Sequence, residues 1–374
     1  MSGHSNPTKP QLSRWMAALV GATAAGVLLV PAAQAQSQLP AKFANDPVAQ
    51  AVGPEVFNAA LKEGQVVWYG ATSSDAFLSG GGVERFEKRF GIRLEQVQGR
   101  LRGLTDRLKT EGAVGRVSAD VFQANDQYLM EVYKAGLMAK WKPPAPELDK
   151  FDPNSFVRNP EGYWWPVQIS AQALIVNTKM VDPNEIKSYW DLINPKWQGK
   201  VVTRDPRSAG GGLNQFMGFM VEPTLGMDYI KKLVEVTKPV IIQGGTSATK
   251  DAVIRGQFAI GLSGRGEFML DLPKGAPLAF VVPKEGQTWT PSSIGMLDKA
   301  PHPNAAKLLL TWFYEFPQLQ LWTEVARGLP HPDVKEKVPE MSIARYPLMT
   351  RIPEDVLENS DEFVKQMEIV FGIR

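Results

Sequence analysis

A repeated order of strand followed by helix is the feature of this sequence that most restricts its fold. Three short segments have the apolar or alternating pattern of β-strands, at 66–69, 92–97 and 120–124. Each is followed by a segment in which apolar residues recur at helical spacing, at 83–90, 104–111 and 128–135. This alternation favours an α/β fold in which a mostly parallel, doubly wound sheet carries helices on both faces.

A second unit of the same kind follows a proline-rich stretch at 143–160. Strands are predicted at 171–177, 200–203, 240–242, 258–262 and 278–283. Helices are predicted at 211–220, 224–236, 247–255, 302–316 and 317–326. The pattern therefore predicts two lobes, each with a doubly wound sheet.

The chain is expected to pass between the lobes twice, near 163–177 and 278–284. We therefore predict that lobe 1 comprises 36–166 and 284–374, and that lobe 2 comprises 167–283. Two crossings imply a hinge and a cleft that can close on a ligand.

The first 35 residues have the pattern of a cleavable secretory signal peptide. They contain no Asp or Glu, and Lys9 and Arg14 precede an apolar stretch that ends near Val30. Small residues follow as Ala33-Gln34-Ala35, which resembles a cleavage site. A membrane anchor is the alternative, but a spanning helix needs about 20 apolar residues. The sequence thus predicts export to the periplasm.

Charge and composition exclude several classes of function. The chain has 41 Lys and Arg and 39 Asp and Glu, and removal of Lys9 and Arg14 leaves 39 of each sign. A neutral chain does not favour a nucleic-acid partner, which requires a basic surface. There is no Cys and there are only three His, so thiol catalysis and a histidine-based zinc site are not expected. We predict neither an enzyme nor a resident cofactor or metal.

Loops of small residues after predicted strands are the first candidates for a ligand site. Ser73 and Ser74 follow the first strand, where hydroxyl side chains can cap a helix or border a ligand held by backbone N–H groups. A glycine-rich loop repeats this design in the second lobe, and Thr246 lies in another. The predicted ligand residues of the glycine-rich loop are Ser208, Ala209, Gly210 and Gly211. The alternative for each loop is a helix cap or a simple turn.

Single residues near strand ends and at the first crossing complete the predicted site. Arginine pairs with carboxylate or phosphate, and the amides of Asn125 and Gln168 can donate hydrogen bonds to a ligand. Trp165 either stacks on a ligand or packs the crossing. The arginines chosen are Arg102, Arg204 and Arg265. Chance placement and a surface position are the alternatives for these residues.

Several motifs, taken in order, resemble one family. Residues 190–201, WDLINPKWQGKV, resemble a signature of bacterial extracellular solute-binding proteins, in the branch of ABC importers that includes ferric-iron, thiamine, phosphonate and sugar-phosphate binders. Residues 111–121, 177–178 and 300–307 resemble further stretches of that branch. The resemblance implies a type II periplasmic-binding fold, an interlobe ligand, delivery to a membrane permease, and a monomeric shuttle.

The ligand is expected to be a small anion. In ferric binders of this branch an adjacent tyrosine pair chelates iron in the stretch that here contains Arg265 and Gly266, and this chain has no Tyr-Tyr dipeptide. In the branch, the loop that matches 208–212 binds an anion. We therefore predict an organophosphate, a phosphonate or a carboxylate. The alternatives are a ferric-ion binder that uses other residues and a secreted hydrolase of small anions.

Overall fold

The computed structural model describes most of the chain after its first 37 residues. The described ranges are 38–70, 77–151, 161–208, 210–265, 274–324, 328–329, 331–336 and 342–373. The predicted signal peptide, the predicted ligand residues Ser73 and Ser74, and Ala209 lie outside these ranges. Within them, no helix combines the length and the apolar character needed to cross a bilayer.

The strands of the described residues form one mixed sheet. They are β1 Gln65–Gly70, β2 Arg93–Gln98, β3 Val121–Asn125, β4 Trp164–Asn177, β5 Val201–Arg204, β6 Val240–Ile242, β7 Ile260–Gly264, β8 Leu278–Val281 and β9 Thr288–Met296. The order across the sheet is β2-β1-β3-β9-β4-β7-β5-β6, and β8 pairs with β4. β1 pairs in parallel with β2 and β3, and β5 pairs in parallel with β6 and β7. The two parallel groups confirm the predicted pair of α/β units.

The described residues form twelve α-helices, of which eight overlap segments where apolar periodicity predicts a helix, whereas those at 47–52, 54–63, 354–358 and 360–371 were not predicted. They are α1 Pro47–Val52, α2 Pro54–Glu63, α3 Val83–Phe90, α4 Leu101–Ala113, α5 Asp126–Lys134, α6 Gly211–Val221, α7 Gly226–Thr237, α8 Gly245–Ile254, α9 Pro303–Phe313, α10 Phe316–Glu324, α11 Glu354–Glu358 and α12 Ser360–Phe371. Local chemistry fixes several ends. Asp46 caps α1 by accepting N–H bonds from Val48 and Ala49, and Gly91 ends α3 in the left-handed conformation.

Lobe 1 has apolar clusters on both faces of its strands. One contains Trp68, Phe86 and Trp312, and the other contains Phe122 and Leu129. The buried carboxylate of Asp120 links β1 to the start of α9. It accepts N–H bonds from Val67 and His302 and lies 2.9 Å from Nδ1 of His302. Two of the motifs that carry the family resemblance, at 111–121 and 300–307, therefore meet at the start of α9, where they stabilise the fold.

The hinge consists of β4 and β9, which pair antiparallel along most of their length. The first half of β4 lies beside β9, which in turn pairs with β3, and its second half pairs with β7 and β8. The prediction that 278–284 forms the second crossing is wrong. β8 pairs with the end of β4 in lobe 2, and the crossing strand is β9, which interior Pro291 and Gly295 made hard to recognise.

A third connection follows near the C-terminus. Leu348 forms a bridge to Gln287, and the indole N–H of Trp289 donates to the carbonyl of Met349 at 2.9 Å. Phe363 and Met367 of α12 then belong to the apolar cluster of lobe 2. The predicted lobe 1 segment 284–374 thus contains residues that pack in lobe 2, because their apolar side chains complete that core.

Candidate functional site

The end of β5 brings together residues from three elements of lobe 2 around one guanidinium. Arg204 donates from Nη1 to Oγ1 of Thr246 at 3.2 Å and from Nη2 to Oε1 of Gln172 at 3.0 Å. Both acceptors are neutral, so these two bonds position the guanidinium without cancelling its charge. We name Arg204, Thr246, Gln172 and Gly211 the arginine site.

Gly211 allows Arg204 to lie against the first turn of α6. A Cβ atom on Gly211 would lie 2.1 Å from both Nη atoms of Arg204, and one on Gly212 would lie 2.2 Å from the carbonyl oxygen of Asp205. Gly210 adopts a φ of 94°, which glycine tolerates best. The start of a helix carries partial positive charge and N–H groups without helical partners, so this end of α6 adds to the positive character of the arginine site.

Gln172 belongs to a polar face of the hinge. In β4, Gln168, Ser170 and Gln172 alternate with residues of the lobe 1 cluster, so the two sets point to opposite faces. Ser170 is paired with Thr290 of β9, and Asn214 in the first turn of α6 donates to Oγ1 of Thr290 at 2.8 Å. The polar face of the hinge therefore lies beside the N-terminus of α6.

Arg265 follows β7, the strand next to β5, but it meets a carboxylate. Its guanidinium Nη2 forms an ion pair with Glu336, and the two side chains are 3% and 4% exposed. Burial lowers the pKa of Arg265, and burial raises the pKa of Glu336 although Arg265 opposes that rise. The prediction placed a solute anion beside Arg265. In the structure the chain itself supplies a carboxylate there.

Arg102 and Asn125 lie at neighbouring cavities of the interlobe region. Arg102 pairs with Glu131 at 3.3 Å and borders a cavity of about 320 Å³ between α5 and the C-terminal helices. Asn125 caps α5 and borders a smaller cavity, of about 30 Å³, together with Asn214 and Thr290. Asn125 thus reaches the polar face of the hinge, whereas Arg102 is committed to a surface ion pair.

The remaining predicted residues have packing or turn contacts. The indole N–H of Trp165 donates to the carbonyl of Trp141 at 2.8 Å, which favours the packing interpretation. Gln168 is buried opposite Ser292 of β9. Ser208 is exposed, and its carbonyl accepts the N–H of Leu213 at 3.0 Å in the turn before α6.

Several tyrosines pack in the apolar clusters of the lobes, and Tyr346 lies close enough to Arg265 to act on the pKa of its guanidinium. All eight fall within the described ranges: Tyr69, Tyr128, Tyr133, Tyr163, Tyr189, Tyr229, Tyr314 and Tyr346. Burial raises the pKa of Tyr189, Tyr229 and Tyr314. Tyr133 and Tyr163 do contact each other, with ring centroids 4.8 Å apart, but the hydroxyl of Tyr133 donates to Glu161 in lobe 1.

Two α/β lobes joined by hinge strands, with polar strand ends beside the hinge, define a two-lobed ligand-binding protein. More specifically, the chain belongs to the family of bacterial extracellular solute-binding proteins, whose family model matches residues 82–350. The resemblance predicted from the motifs is confirmed, as is the α/β fold of that class.

Similar proteins show the breadth of the family. Iron uptake protein A1 of Synechocystis is 29% identical over 120 residues, which are 32% of this chain and 32% of that protein. The chain thus matches about a third of that curated relative. The structure of Trichodesmium IdiA (FutA) with iron and citrate matches 83% of this chain and 100% of its own, with a TM-score of 0.64 and 21% identity. The structure of AfuA from Actinobacillus pleuropneumoniae with fructose 6-phosphate matches 83% and 99%, with a TM-score of 0.66 and 17% identity.

The sequence prediction named Arg204, Thr246 and Gly211, which the structure brings together, but it did not name Gln172, Asn214 or Glu336. Gln172 was detectable, because Gln168, Ser170 and Gln172 are polar at every second position, although only Gln172 lies in the predicted strand 171–177 and the observed strand starts earlier, at Trp164. Glu336 gave no such indication, since its partner lies 71 positions away.

Proposed function

We propose that the protein is the periplasmic substrate-binding component of an ABC importer and captures a small anionic solute between its lobes. Membership of the extracellular solute-binding family and the two-lobed fold support the transport function. The permease in the cytoplasmic membrane is the proposed partner, and a monomeric shuttle without a resident cofactor is the proposed form.

The position of Arg204 carries the proposal for the solute. Its guanidinium is held by Thr246 and Gln172 at the first turn of α6, beside the polar face of the hinge. Carboxylate and phosphate oxygens accept paired bonds from a guanidinium, and helix N-termini favour the same anions. An organophosphate, a phosphonate or a carboxylate fits this combination.

We also propose that the protein binds its solute without catalysing a reaction. The family and the similar structures are binding proteins, which gives the secreted hydrolase no comparable support. The proposed location is the periplasm, and the predicted signal peptide supports this proposal.

A ferric ion bound together with an organic anion is the second candidate. One similar protein is named for iron uptake, several of the similar structures are ferric-ion-binding or iron-bound proteins, and one contains iron and citrate, so iron has at least as much support from the comparisons as a metal-free anion. Phenolates suit bare Fe(III) as hard anionic ligands, but this chain has no adjacent pair of tyrosines in its sequence. Arg204 would instead bind the anion that chelates the metal.

Calorimetric titration of the purified mature protein tests both candidates. The probes are inorganic phosphate, methylphosphonate, fructose 6-phosphate, citrate, Fe(III) and Fe(III) citrate. We expect at least one anion to bind, and Arg204→Met to weaken it by about 100-fold, equivalent to about 2.7 kcal/mol. Arg207→Met is the matched control, because Arg207 lies in the same loop but pairs with Asp205 at 2.9 Å.

The outcomes separate the candidates. Binding of Fe(III) citrate but of neither component alone would favour the chelated metal. Binding of Fe(III) alone, unchanged in Arg204→Met, would contradict an anion site at Arg204.

A further inference from the structure

The last part of the chain, residues 348–371, is held by lobe 2, and we name it the C-terminal strap. Thr350 donates from its backbone N–H and from Oγ1 to Oε2 of Glu222, the residue that ends α6, at 3.0 and 2.9 Å. The ring of Phe371 lies 5.3 Å from the ring of Phe216 in α6. Because polar and apolar contacts both attach it to α6, the C-terminal strap is part of the body of lobe 2.

The start of α12 in the strap also reaches lobe 1. Gln127, in the first turn of α5, donates from Nε2 to Oγ of Ser360 at 3.4 Å. Ser360 is the first residue of α12 and is buried, while α5 supplies Tyr128 and Leu129 to a core cluster of lobe 1. The bond between Gln127 and Ser360 therefore connects the two lobes at a point outside the hinge strands.

The surroundings of this contact are loosely packed. On one side a cavity of about 320 Å³ separates α5 from the start of α12, with Met130, Trp164 and Asp361 on its border. A cavity of about 30 Å³ lies beside the first turn of α5, bordered by Ile352 and Leu357 of the strap. Small polar interfaces of this kind allow domains to move relative to each other. The contact can therefore break without exposing the core of either lobe.

The hinge strands have a clear point at which lobe 1 stops holding them. The carbonyl of Pro166 in β4 accepts the hydroxyl of Tyr314, a core residue of lobe 1, at 2.7 Å. The register between β4 and β9 then shifts between Pro166 and Gln168. Bulges of this kind bend a strand locally. Gln127 and Ser360 lie on other elements, so a rotation of lobe 2 about the hinge strands changes the distance between them.

We propose that the C-terminal strap restrains the movement of the lobes, and that the bond between Gln127 and Ser360 is the contact that does so. While this bond is formed, the two lobes keep the arrangement of the structure. When it breaks, lobe 2 and the strap rotate together about β4 and β9. The proposal does not depend on the chemistry of the solute or on Arg204.

Distances between spin labels on the two lobes test the proposal. The chain has no Cys, so a pair of introduced cysteines at the exposed positions Lys88 of α3 and Lys231 of α7 gives a single label pair. Pulsed electron paramagnetic resonance of the mature protein, without added solute, measures the distribution of their separation. We expect Gln127→Ala and Ser360→Ala each to raise about threefold the population outside the main distance of the wild type, the effect of one long hydrogen bond.

The double variant and a control make the result specific. Gln127→Ala combined with Ser360→Ala should change the distribution no more than either substitution alone, because both remove the same bond. Gln366→Ala is the matched control, since it removes an exposed glutamine of α12, and it should leave the distribution unchanged.

Unchanged distributions in both single variants, or effects that add in the double variant, would overturn the proposal. If Ser360→Ala lowers the melting temperature, Gln127→Ala decides the question, because its side chain is only half-buried and lies on the other side of the contact. No solute is added in these measurements, so a failure of the proposed anion binding leaves their outcome unaffected.

Discussion

Arg204 and Arg265 lie at the ends of adjacent strands of lobe 2, yet their surroundings differ. Arg204 is half-buried, and its side-chain bonds to Thr246 and Gln172 are to neutral oxygens. Arg265 is almost fully buried and faces the carboxylate of Glu336. A strand end determines where an arginine lies, but distant parts of the chain determine which groups surround its guanidinium.

The two arginines should differ most in their effect on stability. Arg265→Met leaves Glu336 buried without its cation, so we expect the free energy of unfolding to fall by about 3–5 kcal/mol. Arg204→Met removes bonds to neutral groups and should cost about 1 kcal/mol. Urea denaturation of both variants measures the difference. Equal losses of unfolding free energy in the two variants would contradict the difference between the surroundings of Arg204 and Arg265.

The contact between Gly211 and Arg204 should affect binding more than folding. In Gly211→Ala the added methyl group displaces the guanidinium, because its carbon would lie 2.1 Å from the Nη atoms. We expect anion affinity to fall about tenfold, or about 1.4 kcal/mol. Gly103→Ala in α4 is the control, since nothing lies within 4 Å of its Cβ position. Unchanged affinity in Gly211→Ala would remove the first turn of α6 from the site.

The loss of one neutral acceptor should have a smaller effect on Arg204. Thr246→Val removes the oxygen that accepts from Nη1, at a cost of about 1 kcal/mol, which corresponds to about fivefold weaker anion binding. Thr249→Val is the control in the same helix, because Oγ1 of Thr249 donates to the carbonyl of Gly245 instead. Calorimetry compares the two variants, and an equal loss in both would point to a general effect on α8.

The pH dependence of stability should also differ, by an amount that depends on how far the pKa of Glu336 is raised. Burial raises the pKa of Glu336 above its ordinary value of 4.5, so the folded state holds this proton more tightly than the unfolded state. The stability that Glu336 contributes is therefore fully present below pH 4.5 and is lost as the pH rises through the folded pKa. As the pH rises, the free energy of unfolding of the wild type should fall relative to that of Glu336→Gln by up to about 1.4 kcal/mol for each unit by which the pKa of Glu336 is raised. Urea denaturation of both proteins between pH 4 and pH 7, a range that includes the ordinary pKa of 4.5, measures this loss of stability. If the wild type gained stability relative to Glu336→Gln as the pH rises, the raised pKa of Glu336 would be contradicted.

The sequence was sufficient for most elements because their patterns are local. Apolar periodicity located α3 and α6 closely, and the α/β order placed Arg204 and Gly211 at one end of the sheet. β9 was missed because Pro291 and Gly295 weaken its strand pattern. Glu336 could not be found from local pattern, since burial and a distant partner give it its role.

The third connection between the lobes, near Leu348 and Met349, also affects the order in which the two lobes can fold. The core of lobe 1 needs Trp312 and Trp322, and the core of lobe 2 needs Phe363 and Met367, near the last residue. In a chain that emerges from its N-terminus, neither lobe can finish packing early. Lobe 2 acquires Phe363 and Met367 only after the segment that completes the core of lobe 1 has been made, so a lobe 2 without these residues lacks part of its core.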